Sequence, residues 1–231
     1  VLSLADAWTG APELAKRVGT ILTEQSAAFS ALNTAFMPDG VVIHVPADTA
    51  LTQPIHVVFA TDAHAAKMVM YPRNLIVLER HARATVLESY VSQSDAAYFT
   101  NAVTEVSVAE GATLEHYKVQ REGRRAFHVG TTEAVQGRDS HFISFSFSTG
   151  GSLARTNIYT TLNGEGCGAT LNGLYMIGGE QHCDHQTRIV HAQPNCFSRE
   201  VYKGILDDSS HGVFNGKVYV HPIAQKTDGK Q

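Results

Sequence analysis

The residues best able to do chemistry lie in "EQHCDHQTRIVH", Glu180 to His191. His182, Cys183, His185 and His191 fall within this stretch, and Cys196 follows shortly after. Imidazole nitrogens and thiolate sulfurs are the donors that zinc and iron–sulfur centres use, and a structural zinc site needs four of them in a tetrahedral array. On a β-strand, successive side chains point to opposite faces. Cys183, His185 and His191 then share a face with Thr187 and Ile189, while His182, Asp184, Gln186 and Arg188 take the other, so the donors do not converge. Two narrower pairs remain. Cys183 and His185 stand at i and i+2, and Cys167 and Cys196 are separated by about one structural repeat. No C-x-x-C or H-E-x-x-H pair supplies further ligands. The expectation is histidines and thiols satisfied by their neighbours, with no catalytic, cofactor-binding or metal residue assigned.

Other chemical constellations are sparser. Asp207-Asp208 could act as the acid pair of a carbohydrate-active β-helix enzyme, but "LDDSSHG" reads as a solvated turn. The sequence has no G-x-S-x-G elbow and no G-x-x-x-x-G-K-[ST] loop, so neither an esterase-type serine nor a nucleotide-binding P-loop is expected. His44, His56, His64, His81, His116, His128 and His141 are scattered singly and are expected to be structural.

The elements that must carry these residues are strands. The 231 residues are 43% hydrophobic and 17% charged, a globular composition, and the net charge of −4 offers no basic excess for nucleic acid. No apolar run approaches the roughly 20 residues of a membrane span. Three cysteines, an odd count, fit a reducing compartment, and no signal peptide is visible, which points to the cytoplasm. The chain starts at Val1 and stops at "QKTDGKQ", so both ends are expected to be cut. Residues 1–37 are Ala- and Leu-rich and read as a short helical segment. There Ser26 caps a helix with Phe29, Leu32 and Phe36 on one face, ended by Pro38-Asp39-Gly40.

From residue 38 to 231 the texture is β: "GVVIHVP", "NLIVLE", "VTEVSVAEG", "HFISFSFS", "KVYVHP". Ile143, Phe145 and Phe147 face one way, and Ser144, Ser146 and Ser148 the other. A repeat runs through this region. "ATV" from Ala84, "ATL" from Ala112, "SHF" from Ser140 and "ATL" from Ala169 mark one series. Tyr98, Ala126, Ala154, His182 and His211 open the members of a second series half a period later. A unit of about 28 residues with two strands and no intervening helix predicts a β-solenoid, in which each coil stacks on the last. A β-sandwich with chance spacing is the alternative. A step of 29 lays His182 beside His211 and Arg188 beside Lys217.

Three stretches, "FSALNTAFMPDGVVIHVP", "HCDHQTRIVH" and "SREVYKGILDDSSHGVFNGKVYVHPIAQKTDGKQ", resemble the SufB/SufD family of iron–sulfur cluster assembly proteins, nearer its SufD than its SufB members. The resemblance runs from about Ser26 to Gln231. It implies a right-handed parallel β-helix core and a non-enzymatic scaffold. It also implies partnership with a SufB-like subunit and a SufC-like ATPase, and iron or an iron–sulfur cluster as the cargo of the parent complex. The family's functional histidine and its ATPase-binding helices lie beyond "QKTDG", so no family site residue carries onto a position here, and none of the three cysteines matches a family ligand. An exposed solenoid end also predicts a homodimer.

Overall fold

A computed structural model describes residues 1–23 and 27–231 of the chain. It opens with β1 (Leu2–Ser3) and three short helices, α1 (Leu4–Gly10), α2 (Pro12–Ala15) and α3 (Ala27–Phe36). The strands then run β2 (Val41–Val45), β3 (Ile55–Thr61), β4 (Val69–Met70), β5 (Arg73–Leu78), β6 (Arg83–Ser92), β7 (Phe99–Val108), β8 (Thr113–Arg121) and β9 (Phe127–Gln136). They continue with β10 (His141–Ser148), β11 (Leu153–Leu162), β12 (Gly168–Ile177), β13 (His182–His191), β14 (Phe197–Leu206), β15 (His211–Val220) and β16 (Asp228–Lys230).

The odd-numbered strands from β5 to β15 pair side by side, with β2 beyond β5 and β1 beyond β2. The even-numbered strands from β6 to β16 form a second sheet, closed at its other end by β3. Every strand pair except β1–β2 is parallel. Each coil thus lays one strand on each sheet, and the chain climbs as a parallel β-solenoid.

One corner of the solenoid fixes this geometry. Asp48, His81, Gly111, Asp139, Gly166, Asn195 and Lys226 each sit at the turn between the two sheets with φ between 53° and 73°. Asp, Asn and Gly are the residues that reach this left-handed region most readily, which is why the turns of the sequence are rich in them. The N–H of Asp48 donates to Arg80 O, that of His81 to Glu110 O, that of Gly111 to Arg138 O and that of Asp139 to Glu165 O, so the turns are stitched coil to coil.

The coil is less regular than a fixed repeat. Arg83 pairs with Thr113, Thr113 with His141, His141 with Gly168 and Gly168 with Phe197, giving steps of 30, 28, 27 and 29. Ala84 therefore lies beside Leu114 rather than Ala112, and Ala169 beside Phe142 rather than Ser140, because turns of unequal length separate the strands. These slips of two residues keep each side chain on its face. Ala154 pairs with Cys183, one residue from the position the repeat assigns. The 29-residue step holds between β13 and β15, where His182 pairs with His211 and Arg188 with Lys217.

The interior is divided lengthwise. Toward the left-handed corner it is apolar, built from Ile76, Leu78, Val106, Leu114, Phe142, Leu171 and Ile189 among others. Toward the opposite corner it is polar. In β10, Ser144, Ser146 and Ser148 are the buried face, while Ile143, Phe145 and Phe147 lie outside and half-buried.

The N-terminal segment packs on the outside of the first sheet, where Leu4, Ala7 and Ala15 meet Val42, Leu75 and Val77. Ser3 caps α1 by accepting from Asp6 N. The expected cap of α3, Ser26, lies outside the described residues. The face that α3 buries is not Phe29, Leu32 and Phe36 but Ser30 and Asn33. Asn33 Nδ2 donates to Pro72 O and Asn101 O, and Asn33 Oδ1 accepts from Arg73 Nη1 at 3.1 Å. Phe29 meets Phe99 edge-on and Phe36 stacks on Tyr71. The texture change near Gly40 coincides with the start of β2.

Candidate functional site

The histidine- and cysteine-rich stretch forms β13, and its side chains alternate between the two faces. Cys183, His185, Thr187, Ile189 and His191 point inward and are buried. His182 is on the outer face, its ring stacked on His211 at 5.1 Å. Asp184, also outward, is covered by Arg155, whose Nη1 donates to Oδ2 at 2.7 Å. Cys183 Sγ lies 3.7 Å from His185 Nδ1. Burial pushes the Cys183 thiol up to about 12, and burial with the nearby Lys118 charge pulls His185 down to about 4. At neutral pH this is a neutral thiol beside a neutral imidazole, a weak donor pair for a metal. Among the described residues no group of three or more His, Cys, Asp or Glu side chains is placed to hold a metal ion. His191 Nε2 lies 3.0 Å from Ser198 Oγ, a hydrogen bond within the interior.

Asp207 and Asp208 are used by their turn. Asp207 Oδ1 accepts from Asp208 N, and Asp208 Oδ2 accepts from Gly179 N across to the neighbouring coil. Asp208 is itself in the left-handed region, φ 54°. The pair lies side by side along a turn rather than across a cleft, so the geometry gives no support to acid–base hydrolysis.

The chemically dense part of the molecule is the polar half of the interior, whose residues no sequence motif marks. One inward row crosses the second sheet coil by coil: Glu88 beside Lys118, Lys118 beside Ser146, Ser146 beside Gly173, Gly173 beside Tyr202. The facing row of the first sheet runs Ala102, Gly130, Thr156, His185 and Phe214. Glycine makes the room. A Cβ at Gly130 would run into Lys118 Nζ, and one at Gly173 would run into the Tyr202 ring. The small rows and the large polar side chains are thus complementary.

Lys118 is buried among two carboxylates and two imidazoles. Its ammonium sits 5.2 Å from the centroid of the Tyr90 ring. Glu88 Oε1 is 3.1 Å from His116 Nε2, and Glu88 accepts from Thr104 Oγ1 and Tyr90 OH. Glu122 accepts from Thr100 Oγ1 at 2.8 Å and Gln120 Nε2 at 3.0 Å. His128 Nδ1 lies 2.7 Å from Glu122 Oε2.

The ionisation of this cluster follows from burial and charge together. Burial raises Glu88, but His116, Lys118 and Thr104 outweigh it and hold the carboxyl below its usual range. Burial likewise raises Glu122, and His128, Gln120 and Thr100 overcome it. For Lys118 burial wins: the two carboxylates pull the ammonium up, yet it falls to about 8. Burial and the Lys118 charge lower His128. Two ionised carboxylates therefore flank an ammonium that can shed its proton close to physiological pH. Further along, Ser146 meets Tyr202 and Thr187 meets Glu200 as polar neighbours across the interior, and His185 Nε2 is buried without a hydrogen-bond partner. A buried ring nitrogen left open in this way calls for ordered water.

A family model described as "SUF system FeS cluster assembly, SufBD core domain" matches residues 59–231, which is nearly the whole solenoid. A second, "SufBD protein N-terminal region", matches residues 1–57. The chain belongs to the SufB/SufD family. It is similar to an iron–sulfur cluster assembly SufBD family protein of Synechocystis, 33% identical over 217 residues, covering 90% of this chain and 48% of that protein. It is 37% identical over 158 residues to the iron–sulfur cluster assembly protein SufD of Escherichia coli, covering 68% of this chain and 37% of the relative. It is 25% identical over 207 residues to SufD of Bacillus subtilis, covering 87% and 46%. The chain thus spans at most about half the length of these curated relatives, and its likeness within the family is SufD-like. Among the described residues, no helix is long and apolar enough to cross a membrane.

A signal for the interior row was present in the strands. In "HFISFSFS" the serines share parity with Phe142, a core residue, and in β8 His116, Lys118 and Gln120 share parity with Leu114. The parity that carries the serines, not the one that carries Ile143, Phe145 and Phe147, is the inward one here.

Proposed function

We propose that this chain is the β-solenoid of a non-enzymatic, SufD-like subunit that supports iron–sulfur cluster assembly together with a SufB-like subunit and a SufC-like ATPase. The observation that carries the reading is the SufBD core match along residues 59–231, on a fold whose coils pair in continuous register from β5 to β15. The cluster and its iron are cargo of the parent complex. The absence of a P-loop from the sequence fits an ATPase supplied by a separate chain. Three buried free thiols fit work in the cytoplasm.

The charged interior around Lys118 supports a working role for the solenoid beyond shape. Its burial costs more than its carboxylate neighbours return, and groups held at a cost cluster at functional sites. The test is co-expression of the chain with a SufB-like protein carrying an affinity tag and with a SufC-like protein. Co-purification in fixed stoichiometry is expected. A well-folded chain that stays in the flow-through, whatever the salt concentration, contradicts the reading.

A further inference from the structure

Cys167 and Cys196 occupy the same rung of the corner ladder on successive coils. Each follows the left-handed residue of its turn, Gly166 and Asn195 respectively. The equivalent positions one, two and three coils earlier are Ser140, Ala112 and Ala82, all fully buried. The rung therefore demands a small side chain, and in two adjacent coils it is filled by a thiol.

The two sulfurs converge. Cys167 Sγ lies 3.0 Å from Gly164 O, and Cys196 Sγ lies 3.3 Å from the same oxygen. The backbone ladder joins the rungs directly, with Phe197 N donating to Cys167 O. Neighbouring parallel strands stand about 4.8 Å apart, inside the window of about 4.4–6.8 Å that a disulfide spans between Cα atoms. One rung earlier, Ser140 Oγ is already 3.9 Å from Cys167 Sγ, so side chains on this ladder touch from coil to coil. Cys183 is on the opposite side of the interior, beside Tyr175 and Ala154.

We propose that Cys167 and Cys196 form a dithiol–disulfide pair that links two successive coils of the solenoid under peroxide. The thiolate of Cys196 attacks a peroxide oxygen, giving a sulfenic acid and hydroxide. The Cys167 thiolate then attacks the sulfenic sulfur, the S–S bond forms, and hydroxide leaves. Overall, two thiols and one hydrogen peroxide give one disulfide and two waters. Both thiols are buried, and the turns that carry them expose Asn163 and Asn195.

Burial holds the Cys196 thiol up at about 11, and raises Cys167 as well. Reaction is therefore slow at neutral pH and accelerates about tenfold per pH unit as the thiolate fraction grows.

The experiment treats the folded chain with hydrogen peroxide between pH 7 and 9, quenches with an alkylating reagent, and maps thiols by peptide mass spectrometry. A fall from three free thiols to one, with Cys167 and Cys196 peptides linked and Cys183 alkylated, supports the pair. Reducing agent should restore all three. Cys183→Ser should leave the link unchanged, and Cys167→Ser should abolish it while the circular dichroism spectrum stays native. Three free thiols after oxidation that closes a reference dithiol peptide, a link through Cys183, or only intermolecular dimers would each overturn the proposal.

Discussion

Replacing Lys118 by methionine tests whether the charged interior stabilises the fold or is maintained against it. Folding lowers the Lys118 ammonium from its ordinary 10.5 to about 8, with burial as the leading cause. At about 1.36 kcal/mol per pH unit, this makes the charged form cost about 3 kcal/mol in the folded state. The carboxylates of Glu88 and Glu122 are already counted in that figure, since their attraction opposes the shift. The sign follows from proton binding. Between pH 8 and 10.5 the unfolded chain binds more protons at this site than the folded one, so wild-type stability rises with pH across that window. Below pH 8 the lysine is charged in both states and the full cost applies. Methionine fills a similar volume with no charge, and Glu88 and Glu122 keep the hydrogen bonds from Thr104, Tyr90, Thr100 and Gln120 that hold them without the ammonium. Lys118→Met is therefore expected to be more stable than wild type by up to about 3 kcal/mol at pH 7, with the gap closing toward pH 10.5. Urea unfolding followed by circular dichroism at pH 7, 8.5 and 10 measures this directly. A variant less stable than wild type at pH 7, or a gap that does not narrow as pH rises, would refute the reasoning and make the ammonium a structural cation.

Arg73 and Glu105 are both fully buried and paired at 2.7 Å, and Glu105 also accepts from Gly19 N and Ile21 N, tying the N-terminal segment to the solenoid. Glu105→Ala is expected to cost about 3–5 kcal/mol, and hydrogen exchange should show the segment around Gly19 opening before the coils. Asp139 is in the left-handed region at φ 53°, so Asp139→Val should lower stability by about 1–2 kcal/mol, while Asp139→Gly should be close to neutral. Edge strand β15 exposes Phe214, Tyr219 and Val220, and sedimentation velocity is expected to show concentration-dependent self-association that Phe214→Lys weakens; a single monomer boundary at high concentration counts against it.

The sequence carried the coil well because parallel stacking imposes a repeat on both strands and turns. The stack of His182 on His211 was readable from a 29-residue step alone. The division of the interior was not. Period-two patterning says which residues share a face, and apolar content usually says which face is inward. In β10 that second rule inverts, because Ser144, Ser146 and Ser148 line the polar half while three apolar side chains look outward. The Lys118 cluster was hidden for a further reason. Glu88 on β6 and His128 on β9 meet His116 and Lys118 on β8, with Glu122 just past its end, and only the register brings these strands together. Asn33 shows the same limit on a helix, since a buried amide serving Pro72 and Asn101 carbonyls leaves no apolar signature.

The central claim is that the chain works as the scaffold partner of a SufB-like subunit and a SufC-like ATPase. Native mass spectrometry of the three proteins mixed at equal concentration tests it most directly. The account predicts one assembly containing all three chains, which also forms with Lys118→Met because that side chain is interior. Separate masses for this chain and for the other two, with the chain folded by circular dichroism, would contradict it.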